Sequence, residues 1–194
     1  VLAALTSTYP AQVPDICLCI SEDESYVHPW ANGDRVGKAP AFDRVAREGI
    51  RFTHAFCDAP TCGPSRSAIL TGQPIWRLEE AGNIHSTLPA RFKTYTELLK
   101  DAGYATYASG KYWEGDPRAM GFTHGTVDVT FKGFSQFVRK GQDELFQFID
   151  EQNETKPRFI WRAPMVPHLQ TNPATQGMDT VYSLERPIPA VNKG

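Results

Sequence analysis

The chain has 194 residues, a length that suits one domain or a piece of a larger one. Hydrophobic residues make up 41% and charged residues 22%, and the net charge is -2. These values are usual for a soluble globular protein and argue against a general nucleic-acid or membrane-surface binder. No apolar run reaches the about 20 residues of a membrane-spanning helix. The short apolar start, residues 1–5, fits the end of a signal peptide, a frayed terminus or a first strand.

Strand-like and helix-like segments alternate along the chain. Short apolar or alternating runs predict strands at residues 15–20, 50–56, 104–109 and 158–163. Amphipathic runs with proline, threonine or glycine at their ends predict helices at residues 40–48, 64–70, 95–102 and 143–152. This order predicts an α/β fold around a largely parallel sheet. The tail from residue 170 onward has no firm assignment.

Polar residues follow several of the predicted strands at the point where each strand ends. Glu22 and Asp23 follow the first strand, Lys111 follows the third, and His168 follows the last. In open α/β sheets, ligands collect at the carboxyl ends of the strands. We therefore expect these side chains to converge on one edge of the sheet.

The four cysteines are of two kinds. Cys17 and Cys19 point to the same face of a predicted strand, where neighbouring positions are poorly placed to form a disulfide. No cysteine spacing matches a zinc site. Buried free thiols are therefore the favoured interpretation for Cys17, Cys19 and Cys57. Cys62 differs because it belongs to a longer pattern.

That pattern is the strongest in the sequence. Residues 62–72 read CGPSRSAILTG, which resembles the signature C-x-P-S-R-x-x-x-L-T-G of the type I sulfatases, a family of the alkaline-phosphatase-like superfamily. The resemblance extends over residues 14–173. It implies a largely parallel, or mixed, central sheet with helices on both faces. It also implies that a formylglycine-generating maturation enzyme oxidises Cys62, whose hydrated aldehyde has one hydroxyl to attack sulfur and another to expel sulfate.

The local chemistry of this segment is compatible with that role. Cys62 precedes a predicted helix with Pro64 in its first turn, so free backbone N–H groups and the positive end of the helix dipole favour an anion there. Arg66 adds a permanent positive charge and a rigid fork of donors. A buried structural thiol is the alternative for Cys62.

Three further patterns match the family. The resemblance implies that Glu22 and Asp23, where many members have two aspartates, bind calcium together with the residue formed from Cys62. It implies that Lys111 contacts the sulfate and the formylglycine. It also implies that His168 binds sulfate or protonates the leaving oxygen. The alternatives are a solvated acidic turn, a surface lysine and a structural histidine.

One position departs from the family pattern. Many members have a Trp-His pair after the lysine, whereas this chain has Tyr112 and Trp113. Orientation of the nucleophile would then fall to another residue, such as His85 or His124. Trp76, His85 and Trp113 are predicted substrate contacts that line a sugar-binding cleft, and ordinary packing is the alternative for each.

The resemblance therefore predicts a sulfuric ester hydrolase that uses calcium and formylglycine on a sulfated carbohydrate or small molecule. A phosphonate or phosphodiester hydrolase and a non-catalytic fragment or pseudoenzyme that binds sulfated glycans are the alternatives. We expect no nucleic-acid partner and no membrane span, and the expected location is periplasmic, secreted or lysosomal. Because such sulfatases are considerably longer, residues 1–194 are expected to form the N-terminal portion of the catalytic domain. The missing remainder would supply the other metal ligands.

Overall fold

The structure is a computed structural model that describes residues 13–22, 24, 30–33, 39–112, 116–125, 142–152, 156–164, 169–171 and 178–180. Its main feature is a four-stranded sheet in which all neighbouring strands are parallel. In chain order the strands are β1 (Ile16–Cys19), β2 (Ala105–Gly110), β3 (His124–Gly125) and β4 (Arg158–Ala163). Their spatial order is β1-β4-β2-β3. A separate antiparallel pair consists of β5 (Leu169–Thr171) and β6 (Met178–Thr180).

Four α-helices accompany the sheet in the described part of the chain: α1 (Pro40–Glu48), α2 (Cys62–Thr71), α3 (Tyr95–Asp101) and α4 (Asp143–Glu151). Short 3-10 helices connect them at Trp30–Asn32, Ile75–Arg77, Glu79–Gly82 and Pro117–Met120. Among the described helices, none combines the length and apolar character that a bilayer crossing requires.

The sheet buries apolar side chains on both faces, because successive residues of a strand point to opposite sides. On one face, Tyr107 and Ile160 pack against Phe148 of α4. On the other face, Phe159 and Trp161 belong to a larger core. The remaining buried members of that core are Leu70, Leu78, Ala81, Leu88, Ala108, Tyr112, Phe122 and Ala163. The predicted α/β fold with a parallel sheet and helices on both faces is therefore confirmed.

Local signals define the helices next to the candidate site. Gly72 ends α2 in a left-handed conformation with φ of 64°, and its N–H donates to the carbonyl of Ala68 at 2.8 Å. Thr94 begins α3 with a capping box, in which the Thr94 hydroxyl accepts from the Glu97 N–H and the Glu97 carboxylate accepts from the Thr94 N–H. These contacts satisfy backbone groups that a helix end otherwise leaves unpaired.

Two sequence expectations were wrong. Residues 50–56 form no strand, and Ile50, Phe52 and Phe56 are 81%, 73% and 90% exposed. Alternation alone creates two faces, but a strand also needs a pairing partner, and none of the described strands lies beside this segment. The thiols of Cys17, Cys19 and Cys57 were expected to be buried, yet all three are exposed. Strands β3, β5 and β6 had not been predicted.

Candidate active site

The sheet order brings the ends of β1 and β2 to the same edge. Both strands are neighbours of β4, with Cys19 aligned to Arg162 and Gly110 aligned to Ala163. Because the strands are parallel, the residues that follow them leave the sheet at the same side. Glu22 and Lys111 therefore approach each other although the strands before them lie far apart in sequence.

Glu22 is the centre of a buried charge cluster. One oxygen of its carboxylate pairs with the guanidinium of Arg66 and the other pairs with the Lys111 ammonium. The side chains of Glu22 and Arg66 are each 5% exposed, whereas that of Lys111 is 15% exposed. Two cations and one carboxylate leave a net charge of +1 in a poorly solvated place, which favours an anionic ligand.

The charges of this cluster stabilise one another. Burial by itself would raise the pKa of the Glu22 carboxyl, because desolvation disfavours the ionised form. The positive charge of Arg66, with the hydrogen bond and the charge of Lys111, outweighs burial and lowers the pKa of Glu22 below its ordinary value. Glu22 is therefore ionised at neutral pH and holds both cations in place.

The backbone of Lys111 is fixed from three sides. Its N–H donates to the Ala163 carbonyl at 2.6 Å, which continues the pairing of β2 with β4. Its carbonyl accepts from Nη1 of Arg66 at 3.1 Å and from Nε1 of Trp161 at 3.0 Å. The Trp161 ring also lies under the Arg66 guanidinium, at 5.9 Å from its centroid. Sequence reasoning missed Trp161, whose position in a buried strand gave no polar signal.

Gly110 is required at the turn between β2 and Lys111. Its φ is +80°, and a Cβ at this position would overlap with the carbonyl of Ala163. Any other residue would therefore meet both an unfavourable conformation and a backbone collision. The glycine directly before Lys111 therefore has a steric basis.

Cys62 is the first residue of α2, and Arg66 follows one helical turn later. Residues four apart share a face of a helix, so Cys62 lies on the side of α2 that carries Arg66. The Cys62 side chain is partly exposed. The positive end of the α2 dipole adds to the field of Arg66 and Lys111 at this position.

Two predicted substrate contacts lie elsewhere. Trp76 is 75% exposed beyond the C-terminal end of α2, whereas Cys62 is at the N-terminal end of that ten-residue helix. Such a helix is about 15 Å long. The ring of Trp76 faces the Arg77 guanidinium at 5.1 Å, and His85 is exposed with a φ of 60°. Neither makes a described contact with the charge cluster, and their role in substrate binding stays a prediction.

Tyr112, the residue directly after Lys111, is buried in the core, whereas His124, one of the two proposed substitutes for the missing histidine, is half-buried. Tyr112 is 2% exposed and its ring packs edge-on against Phe122 and Trp161. His124 lies in β3, where its ring contacts Phe148 and its Nδ1 shares a hydrogen bond of 2.8 Å with the Thr123 hydroxyl. Asp23, Trp113 and His168 lie outside the described residues.

The described residues do not by themselves form a calcium site. Calcium takes about six to eight oxygen ligands in proteins. Among the predicted ligands, Glu22 alone has a described carboxylate, and both of its oxygens pair with cations. Within the part of the chain that the structure describes, no three His, Cys, Asp or Glu side chains are grouped around a potential metal position. Asp23 and ligands from elsewhere would be needed.

Known proteins share both the sequence and the fold. The family model described as Sulfatase matches residues 14–185. An N-acetylglucosamine-6-O-sulfatase of Bacteroides thetaiotaomicron is 27% identical over 195 aligned positions, which cover 91% of this chain and 35% of that protein. Arylsulfatase G of Rattus norvegicus is 31% identical over 128 positions, covering 64% of this chain and 23% of that protein.

Solved structures give the same result for the fold. The structure of Ps i-CgsB in complex with k-i-k-neocarrahexaose aligns with a TM-score of 0.68 at 23% identity, covering 83% of this chain and 47% of that one. This chain therefore spans about a third of the first curated relative and about half of that solved structure. The family model covers residues 14–185, and the structural alignment covers 83% of the chain. The chain belongs to the sulfatase family.

Proposed function

We propose that this chain contributes the nucleophile and two sulfate-binding cations of an enzyme that hydrolyses sulfate esters of a carbohydrate. The observation that carries the proposal is the cluster of Arg66, Lys111 and Glu22, one helical turn from Cys62. Its net positive charge lies at the strand ends, next to the N-terminus of α2.

Each residue has a distinct part in this proposal. A formylglycine formed from Cys62 supplies a nucleophilic oxygen once it is hydrated. Lys111, the more accessible cation, meets the sulfate group and balances charge that develops on its oxygens. Arg66 is held by Glu22 and by the Lys111 carbonyl, so it keeps a fixed position without loss of order when substrate binds. His168 protonates the leaving oxygen.

The carbohydrate part of the proposal rests on the relatives. One is named for N-acetylglucosamine 6-O-sulfate and another was solved with a neocarrahexaose, so sulfated sugars are the substrate class to test first. Trp76 and His85 are the proposed sugar contacts, with Trp113. Such enzymes meet their substrates outside the cytoplasm, and we propose an exported or lysosomal location. Calcium binding by Glu22 and Asp23 is proposed only with further ligands from beyond the described residues.

The deciding experiment is mass analysis of the tryptic peptide 52–66 from protein produced in a host that matures sulfatases. Conversion of Cys62 to the aldehyde or its hydrate is the expected result, because the maturation enzyme reads the motif that residues 62–66 carry. The same peptide from protein produced in a host without the maturation enzyme gives the mass of the unconverted cysteine. An unmodified thiol in the competent host would remove the nucleophile and leave a binding fragment or pseudoenzyme as the better interpretation.

Parallel assays with an aryl sulfate and an aryl phosphonate separate the two hydrolase alternatives. Both reactions develop charge on oxygens that the same cations stabilise, so the cluster alone does not discriminate between them. We expect turnover of the sulfate to exceed turnover of the phosphonate. Preference for the phosphonate would contradict the sulfatase proposal while leaving Cys62 as the nucleophile.

A further inference from the structure

Two exposed thiols lie side by side on β1. The Sγ atoms of Cys17 and Cys19 are 3.6 Å apart, and both side chains are exposed. One residue separates them on the strand, so they point to the same face. Sequence patterns had given no reason to expect an accessible pair of thiols, and the proposed sulfatase chemistry makes no use of them.

The strand register places this pair away from the charge cluster. Cys17 aligns with Ile160 and Cys19 aligns with Arg162 on the neighbouring strand β4. Aligned residues of neighbouring strands share a face, and Ile160 packs in the cluster formed with α4. Trp161, which holds the Lys111 carbonyl, belongs to the core on the opposite face. The thiols and the candidate active site therefore lie on different sides of the sheet.

The distance between the sulfurs suits shared coordination of one metal ion. In tetrahedral coordination with metal–sulfur bonds of about 2.3 Å, two thiolates lie about 3.8 Å apart. The observed 3.6 Å is close to that spacing. A disulfide would need the sulfurs at about 2.05 Å, and same-face neighbours on one strand are poorly placed to reach it.

The surroundings favour a thiolate, which is the form that binds metal. The hydrogen bond with the Cys17 thiol lowers the pKa of the Cys19 thiol to about 6, burial opposes this, and the positive charge of Arg162 supports it. The same hydrogen bond raises the pKa of the Cys17 thiol. Other titratable groups on this face include Tyr107 of β2, whose pKa burial raises to about 12, His124 of β3, Arg158 of β4 and Glu144 of α4.

We propose that Cys17 and Cys19 form a bidentate site for a soft, thiolate-preferring metal ion on the α4-facing side of β1. The metal forms two metal–sulfur bonds, one with the Cys19 thiolate and one with the Cys17 sulfur, whose proton passes to solvent. Within the described residues no third side chain completes the site. Water or an external thiol fills the other positions, and soft ions are preferred because both protein ligands are sulfur.

The probe is cadmium(II), whose thiolate complexes absorb in the ultraviolet, titrated into the reduced full chain. We expect one equivalent of cadmium to bind per chain, with absorption typical of cadmium–thiolate bonds. Mutation of residues that only hydrogen-bond to metal ligands already weakens metal binding by about 10- to 100-fold. Loss of one of the two thiolates is therefore expected to weaken binding by at least about 100-fold in Cys17→Ser and in Cys19→Ser.

The matched control is a Cys57→Ser, Cys62→Ser double variant, which retains only the proposed pair and should bind one equivalent with unchanged absorption. Urea unfolding of each variant establishes that it is folded. The proposal is overturned if folded Cys17→Ser binds cadmium as tightly as the parent chain. It is also overturned if the double variant loses the absorption band, since Cys57 or Cys62 would then be a ligand.

Discussion

Glu22 and Arg66 form a buried ion pair across 44 positions of the sequence. The carboxylate of Glu22 also binds Lys111, so one buried anion keeps two cations next to each other. Glutamine at this position retains the shape and the carbonyl oxygen but removes the negative charge. The two cations would then repel each other in a poorly solvated place.

We therefore expect Glu22→Gln to lower the free energy of unfolding by about 3 kcal/mol, since removal of one partner leaves buried charge uncompensated. Urea denaturation of the chain at pH 7 measures this change. The exposed i,i+4 pair of Arg44 and Glu48 provides the control, and Glu48→Gln should cost less than about 0.5 kcal/mol. Equal stability losses in the two variants would show that the Glu22 pair is no stronger than a surface pair.

The same pair predicts how stability depends on pH. The pKa of Glu22 is lower in the folded chain than its ordinary value of 4.5. A group with a lowered folded-state pKa contributes stability that is fully present above its unfolded pKa and is lost as pH falls through the folded value. The difference in unfolding free energy between the parent chain and Glu22→Gln should thus be constant above about pH 5.5 and shrink below pH 4.5. A difference that grows on acidification would contradict this sign.

Gly110 and Gly72 offer a matched pair of glycine substitutions. Both have positive φ, 80° and 64°, but a Cβ at Gly72 meets nothing within 4 Å, whereas one at Gly110 overlaps with the Ala163 carbonyl. We expect Gly72→Ala to cost about 1 kcal/mol and Gly110→Ala about 3 kcal/mol or more. Thermal and urea unfolding measure both. If the two substitutions cost the same, the close approach of β2 and β4 at Lys111 is not as tight as described.

Thr94 is expected to contribute more than an ordinary helix cap. Its hydroxyl takes part in the capping box of α3 and also donates to the Met120 carbonyl at 3.0 Å. We expect Thr94→Ala to lower the free energy of unfolding by about 2 kcal/mol, the upper end for a cap. Thr53→Ala is the control, because Thr53 is exposed and its one described hydrogen bond is with the neighbouring His54 ring. We expect this substitution to lower the free energy of unfolding by less than about 0.5 kcal/mol. A loss confined to about 0.5 kcal/mol for Thr94→Ala would argue against the capping box.

Calcium should bind weakly to this chain on its own. To bind calcium, the Glu22 carboxylate would have to give up its ion pairs with Arg66 and Lys111. The described residues also contain no group of three side chains that could hold a metal ion. Isothermal titration calorimetry is therefore expected to give no tight one-site isotherm for calcium at pH 7. Tight binding with one calcium per chain, abolished in Glu22→Gln, would mean that the metal displaces both cations and that the ligand set is already complete.

Several local elements of the fold could be predicted from the sequence. Helices α1 and α4 and strand β4 were predicted within about one residue, because periodicity and end signals act over a few positions. The capping box of Thr94 and the end of α2 at Gly72 are decided by the residues that form them. The family pattern at residues 62–72 likewise depends only on neighbouring residues.

Other features required the folded chain. Residues 50–56 alternate apolar and polar side chains as a strand does. No short-range pattern shows whether such a segment has a neighbouring strand to pair with. Nor does one show that Cys17 and Cys19 face solvent while Trp161 is buried beneath Arg66.

The amino-acid sequence was sufficient to predict which groups would bind an anion: Arg66, Lys111 and the N-terminus of α2. The tertiary structure decided that Glu22 pairs with both cations and that Trp161 donates to the Lys111 carbonyl. These contacts join segments separated by 44 to 89 positions. They exist because β4 lies between β1 and β2, and that order results from packing between distant parts of the chain rather than from any local pattern.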